Sequence, residues 1–109
     1  MLDRKKAHNF YAKNSKVYRA FTEMEKKTYT DDHLEKRYKE LIAVGISVVI
    51  NCESCMEWHI NEALKSGATR DQVLEAVEVG FEMGGGPATV SGRFAYKVLE
   101  YYTAEDKKA

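Results

Sequence analysis

Asn51-Cys52-Glu53-Ser54-Cys55-Met56-Glu57-Trp58-His59 is the stretch on which the reading of this chain turns. It holds both cysteines of the protein and one of its three histidines, at spacings i, i+3 and i+7. On an α-helix those positions share one stripe, because neighbours three and four apart lie on the same face. Asn51 is a favoured N-cap residue, and Val48-Val49-Ile50 before it reads as the apolar end of a preceding element. The pattern therefore predicts a helix that opens at the cysteines. There the unpaired backbone N–H groups and the helix dipole favour an anionic sulfur, the form in which cysteine reacts. Two Cα atoms at i and i+3 of a helix are about 5 Å apart, within disulfide reach. Such a pair can close and reopen with little backbone movement.

His59 lies one turn beyond Cys55 and is the candidate base or imidazolium partner for its thiol. A base works best when a third group orients it, and Glu40 is the candidate carboxylate. It stands about ten residues, or roughly 15 Å of helix, before the corner at Ile50-Asn51, and His59 stands roughly 12 Å after it. A near-antiparallel hairpin brings the two to the same height. Duller readings exist for each residue: inert buried cysteines, a structural histidine, a solvated glutamate. A zinc site is a further alternative, since Cys52, Cys55 and His59 make three ligands and Glu40, His8 or His33 a fourth. Structural zinc sites draw on two separated knuckles, however, and no second Cys or His pair exists, so no metal is expected. Glu53 and Glu57 flank the thiols and oppose a second negative charge there.

The chain has 109 residues, the size of one domain with a modest core. Seventeen basic and seventeen acidic side chains leave no net charge, so nothing argues for nucleic acid or an anionic membrane as partner. No segment reaches the ~18–20 apolar residues of a membrane span. The N-terminal Met1-Leu2-Asp3-Arg4-Lys5-Lys6 has no apolar core of a secretory signal, and a cytoplasmic location is expected. In that compartment a C-x-x-C pair points to redox chemistry or metal binding rather than to a permanent staple.

Sparse proline and abundant Glu, Lys, Ala and Leu predict an all-α, single-domain bundle of about five helices. Phe10, Val17, Phe21 and Met24 place the first helix over residues 8–27. Thr30 or Asp31 is expected to cap the second, whose stripe runs through Leu34, Tyr38, Leu41, Gly45 and Val48, with Ile42, Ile46 and Val49 beside it. The β-branched run Ile46–Ile50 keeps the helical period and is read as helix. The third helix runs from Cys52 to Ser66 and ends at Gly67. Thr69 with Gln72 forms a capping box that opens the fourth. Gly84-Gly85-Gly86 breaks it, Pro87 suits the first turn of the fifth, and Ala104–Ala109 is a polar tail. The triple glycine has neither G-K-[ST] nor a preceding strand, so it reads as a bend rather than a phosphate loop. Broad apolar faces on several helices lead us to expect self-association.

Lys39-Glu40-Leu41-Ile42-Ala43-Val44, then Asn51-Cys52-Glu53-Ser54-Cys55, then His59, Ala63 and Gly67-Ala68-Thr69 resemble the carboxymuconolactone decarboxylase and alkylhydroperoxidase D superfamily. The shared pattern is a glutamate, C-x-x-C twelve residues on, x-x-x-H, and a Gly-Ala before the next helix. It spans roughly residues 36 to 82. The resemblance implies an all-α core that assembles into trimers or hexamers. It also implies a thiol peroxidase or thiol-disulfide oxidoreductase, since the decarboxylase branch generally lacks the cysteine pair. Carried over, Cys55 is the peroxide-attacking thiol, Cys52 its resolving partner, and His59 with Glu40 a proton relay. A hydroperoxide is the implied substrate, an external dithiol the reductant, and no bound cofactor is required. The helix dipole taken alone favours Cys52 as the more acidic thiol, in tension with that assignment. Some peroxidase members also carry a histidine between the cysteines, where this chain has Ser54. The rival readings are a small-molecule lyase using His59 and Glu40 as acid and base, and a non-enzymatic oligomer that senses redox state.

Overall fold

The computed structural model describes residues 2–104, which form six α-helices and, among those residues, no strand. They fall into two units that meet between Thr30 and Asp31 in sequence. The polar tail expected over Ala104–Ala109 lies, Ala104 apart, outside the described residues.

The first unit is a helical pair, α1 (Leu2–Asn14) and α2 (Lys16–Thr28), where a single helix over residues 8–27 was expected. The break is at Ser15. Its backbone is extended and its hydroxyl accepts the N–H of Tyr18, the arrangement of an N-cap. Asn14 and Ser15 both offer side-chain hydrogen bonds that compete with a continuous helix. Asn14 Nδ2 donates to Phe10 O, and Arg19 Nη1 donates to Ala12 O at 2.8 Å, clamping the start of α2 to the end of α1. The break leaves Phe10 on α1 and Val17, Phe21 and Met24 on α2, and all four remain more than half exposed.

The second unit holds α3 (Lys36–Val49), α4 (Glu53–Lys65), α5 (Arg70–Gly84) and α6 (Gly86–Tyr102). α3 packs on both α4 and α5, and α6 packs against the same two helices and, less extensively, against α3. Val44 and Val48 from α3, Met56 and Ile60 from α4, Val73 and Val77 from α5, and Val98 and Leu99 from α6 make its core. Burying each large apolar side chain stabilises the unit by about 1.5–3 kcal/mol before entropy is counted. α3 and α5 approach most closely where both are glycine. A Cβ on Gly80 would stand 2.8 Å from the Gly45 carbonyl oxygen, and one on Gly45 would stand 3.1 Å from that of Ala76.

Several expected helix ends are met. Gly67, at φ 102°, closes α4, and Thr69 with Gln72 completes a reciprocal capping box at the head of α5. Gly85, at φ 73°, makes the bend between α5 and α6, with Pro87 in the first turn that follows. Of the run Ile46–Ile50, read as helix from its period, the residues through Val49 are helical and Ile50 is the C-cap. Two expectations need correction. α3 starts at Lys36 rather than next to Thr30 or Asp31, although Asp31 Oδ1 still accepts the Lys36 N–H at 2.6 Å across the turn. Its inward face keeps Gly45 and Val48 of the expected stripe, with Leu41 partly buried against the core, but adds Glu40, Val44 and Ser47 and leaves Leu34 and Tyr38 exposed. The rotation turns Glu40 inward. It leaves Ile42, Ile46 and Val49 exposed along an apolar groove of about 630 Å³ between α3 and α5.

Candidate active site

The α3–α4 corner places both cysteines. α3 ends with Ile50 N–H on Ile46 O, and Asn51 takes a left-handed φ of 53°. Asparagine tolerates that region better than most residues, and here this excludes it from the capping role expected of it. Cys52 is the N-cap instead. Its backbone is extended, its N–H donates to Ser47 O, and its sulfur accepts the Cys55 N–H at 3.2 Å. A sulfur in this position sits where the helix end best accommodates negative charge. Cys52 and Cys55 are joined as a disulfide across Cα atoms 5.2 Å apart, close to the spacing expected of an i, i+3 helical pair. Both residues are partly exposed.

One turn further along α4, His59 faces α3, and the hairpin brings Glu40 to its height. His59 Nδ1 and Glu40 Oε1 lie 2.6 Å apart, with Glu40 only 1% exposed and His59 9%. A carboxylate beside Nδ1 selects the tautomer that carries its proton there, which leaves Nε2 as the basic nitrogen. The hairpin expected from the spacing thus sets Glu40 against His59. His8 bonds Tyr18 within the first unit, and His33 is exposed beside Asp32. Among the described residues no group of three or more His, Cys, Asp or Glu side chains is disposed to hold a metal ion.

Sequence reasoning missed two members of the cluster. Lys36 Nζ lies 2.7 Å from Glu62 Oε1 and 3.6 Å from Glu40 Oε2, so it bridges α3 and α4 beside the His59 contact. The hydrogen bond to Glu62 is the main influence that raises the Lys36 ammonium above its ordinary value of 10.5; partial burial opposes it, and the charges of Glu62 and Glu40 add to it. Lys65 stands 3.7 Å from the other Glu62 oxygen. The i, i+4 relation of Lys36 to Glu40 was a visible signal, but such pairs are common on exposed helix faces. Glu57, read in the sequence as a flanking negative charge, is buried at 8% exposure, whereas Glu53 is exposed.

Residues 15–97 match the model of the carboxymuconolactone decarboxylase family. An uncharacterised protein of the cox locus of Paracoccus denitrificans is 40% identical over 81 residues, covering 74% of this chain and 73% of that protein. An uncharacterised protein of Cupriavidus necator is 39% identical over 85 residues, covering 78% and 73%. The fold is similar to that of a carboxymuconolactone decarboxylase family protein from Legionella pneumophila, with TM-score 0.83, 27% identity, and 92% of this chain and 89% of that one covered. A family protein from Thermotoga maritima gives TM-score 0.87 at 22% identity, covering 97% and 91%. No described helix is long and apolar enough to cross a membrane.

Proposed function

This chain belongs to the carboxymuconolactone decarboxylase family, and on that premise we propose that it is a thiol-dependent peroxidase, an oxidoreductase that reduces hydroperoxides through Cys52 and Cys55. The observation that carries this reading is the redox-capable pair at the head of the helix that also bears His59, itself oriented by buried Glu40. A lyase using His59 and Glu40 alone has no need of two thiols within bonding distance.

Starting from the reduced pair, His59 Nε2 takes the proton of Cys55. The thiolate attacks the distal oxygen of the hydroperoxide; an S–O bond forms, the O–O bond breaks, and the departing alkoxide leaves as the alcohol with the proton from His59. Cys55 is now a sulfenic acid. The Cys52 sulfur attacks that of Cys55, an S–S bond forms, and the S–O bond breaks, releasing water that carries the Cys52 proton. The disulfide is the oxidised end of this cycle. An external dithiol reduces it by exchange and is itself oxidised to a disulfide. His59 and Glu40 move the proton, the sulfurs carry the electrons, and no bound cofactor enters the balance. The pair would turn over in a reducing, cytoplasmic setting, where a dithiol donor is at hand.

Cys55 is assigned the attack because it is one turn from His59, while the N-cap position of Cys52 suits a sulfur that must leave as an anion when the disulfide is reduced. Self-association into a homo-oligomer such as a trimer or hexamer is part of the same proposal. It is supported by the exposed apolar residues Ile42, Ile46, Val79 and Met83 along the α3–α5 groove. The test of function is peroxide turnover with a dithiol donor in the wild type and in Cys55→Ser. Turnover that needs Cys55 supports the peroxidase. Turnover unchanged in Cys55→Ser contradicts it.

A further inference from the structure

We propose that Lys36 is a positioning residue of the Glu40–His59 pair: its ammonium, held between Glu40 and Glu62, sets a fixed positive charge against the second oxygen of Glu40 and so leaves the first to orient His59. The inference rests on the proton-relay role given to Glu40 and His59 above.

The two oxygens of Glu40 face different nitrogens. Oε1 lies 2.6 Å from His59 Nδ1, and Oε2 lies 3.6 Å from Lys36 Nζ. The carboxylate is nearly sealed from water, with its side chain 2% exposed. A buried carboxylate with an imidazole as its one cationic partner draws a proton onto the pair, because desolvation penalises an uncompensated charge. A proton held there occupies the base. A permanent cation on the second oxygen removes that demand. Lys36 can act as one because it is anchored: Glu62, three residues past His59 on α4, holds Nζ at 2.7 Å. That contact keeps the ammonium charged well past neutral pH, as its raised value reflects. Charged groups near the pair include Lys36 from α3 and, from α4, Glu62 backed by Lys65, with Glu57 buried two residues before His59. The thiols of Cys52 and Cys55 join them only when reduced.

The test follows the His59 ring by NMR against pH, in protein whose Cys52–Cys55 disulfide is kept closed so that no thiol titrates. His59→Gln identifies its signal among the three histidines. Removing a positive charge favours protonation of every neighbour, so Lys36→Gln is expected to raise the midpoint of the His59 titration. Lys36→Arg, which keeps the charge, is expected to restore it. Glu62→Gln removes a negative charge and leaves the ammonium to Glu40 alone, so it is expected to lower the midpoint. A purely structural role for Lys36 moves none of these. An unmoved midpoint in folded Lys36→Gln, or an equal rise in Lys36→Arg, overturns the proposal. If Lys36→Gln does not fold, Glu62→Gln decides, and the absence of a downward shift overturns it. The readout does not involve peroxide, so a wild type inert to peroxide would refute the peroxidase reading and leave this result standing on its own.

Discussion

Glu40 Oε1 and His59 Nδ1 lie 2.6 Å apart although nineteen positions separate them in the chain, and the contact is buried between α3 and α4. A carboxylate at Nδ1 favours the tautomer that carries its proton there. A glutamine at position 40 keeps the shape of the side chain but brings an amide that can turn either its oxygen or its nitrogen toward Nδ1. Glu40→Gln is expected to lower peroxide turnover about 100-fold, the scale of a positioned general base, while the helical circular dichroism is retained. Steady-state kinetics with an organic hydroperoxide measure this.

The close passage of α3 and α5 gives a stability prediction. Gly80→Ala puts a methyl group 2.8 Å from the Gly45 carbonyl oxygen and 3.1 Å from Val48 Cβ, a clash between two backbones that cannot both yield. A loss of about 1–3 kcal/mol is expected from urea denaturation. Gly86→Ala is the control, since a Cβ there meets nothing within 4 Å, and its effect is expected to stay below about 1 kcal/mol.

Lys36 links stability to alkaline pH. Its ammonium is more basic in the folded chain than its ordinary value of 10.5, mainly through the hydrogen bond to Glu62. A group whose value is raised by folding contributes stability that is fully present below the unfolded value and is lost as pH rises through the folded one. Wild type is therefore expected to exceed Lys36→Gln in stability by a constant margin from pH 7 to about 9.5, with the margin closing above 10.5. Urea midpoints at several pH values give this directly.

Self-association through the α3–α5 groove predicts a light-scattering mass that is a multiple of 12.5 kDa. Ile46, 55% exposed on the groove, is the residue to alter. Ile46→Glu is expected to lower the mass toward that of one chain and to leave the fold intact, because the side chain contributes little to the core. A wild type already monomeric at micromolar concentration contradicts the oligomer.

Much of this was legible in the sequence for a local reason. The i, i+3, i+7 spacing of Cys52, Cys55 and His59 is a property of one helix, and the Thr69–Gln72 box and Gly67 mark helix ends within a few residues. The Glu40–His59 contact was legible as well, because a short corner between two helices turns sequence distance into height. What escaped depends on choices made elsewhere in the chain. The break at Ser15 is decided by a single cap that interrupts an otherwise continuous period. The cap of α4 passed from Asn51 to Cys52 because Asn51 takes the left-handed conformation that ends α3. The face of α3 was misjudged because hydrophobicity alone put Leu34 and Tyr38 inside, whereas a charged residue, Glu40, occupies the buried position against His59. Lys36 and Glu62 meet across 26 positions, and no local pattern announces that.

The proposed peroxidase stands on one event, the exchange of electrons between the Cys52–Cys55 pair and a hydroperoxide. The most direct measurement is a mass-spectrometric thiol count on fully reduced protein before and after one equivalent of organic hydroperoxide. Peroxidase chemistry predicts the loss of two thiols as an intramolecular Cys52–Cys55 disulfide, reversed by a dithiol. It also predicts a sulfenic acid trapped on Cys55 in Cys52→Ser, and no peroxide consumption in Cys55→Ser. Thiols that stay reduced in the wild type, with peroxide unconsumed, would contradict the account.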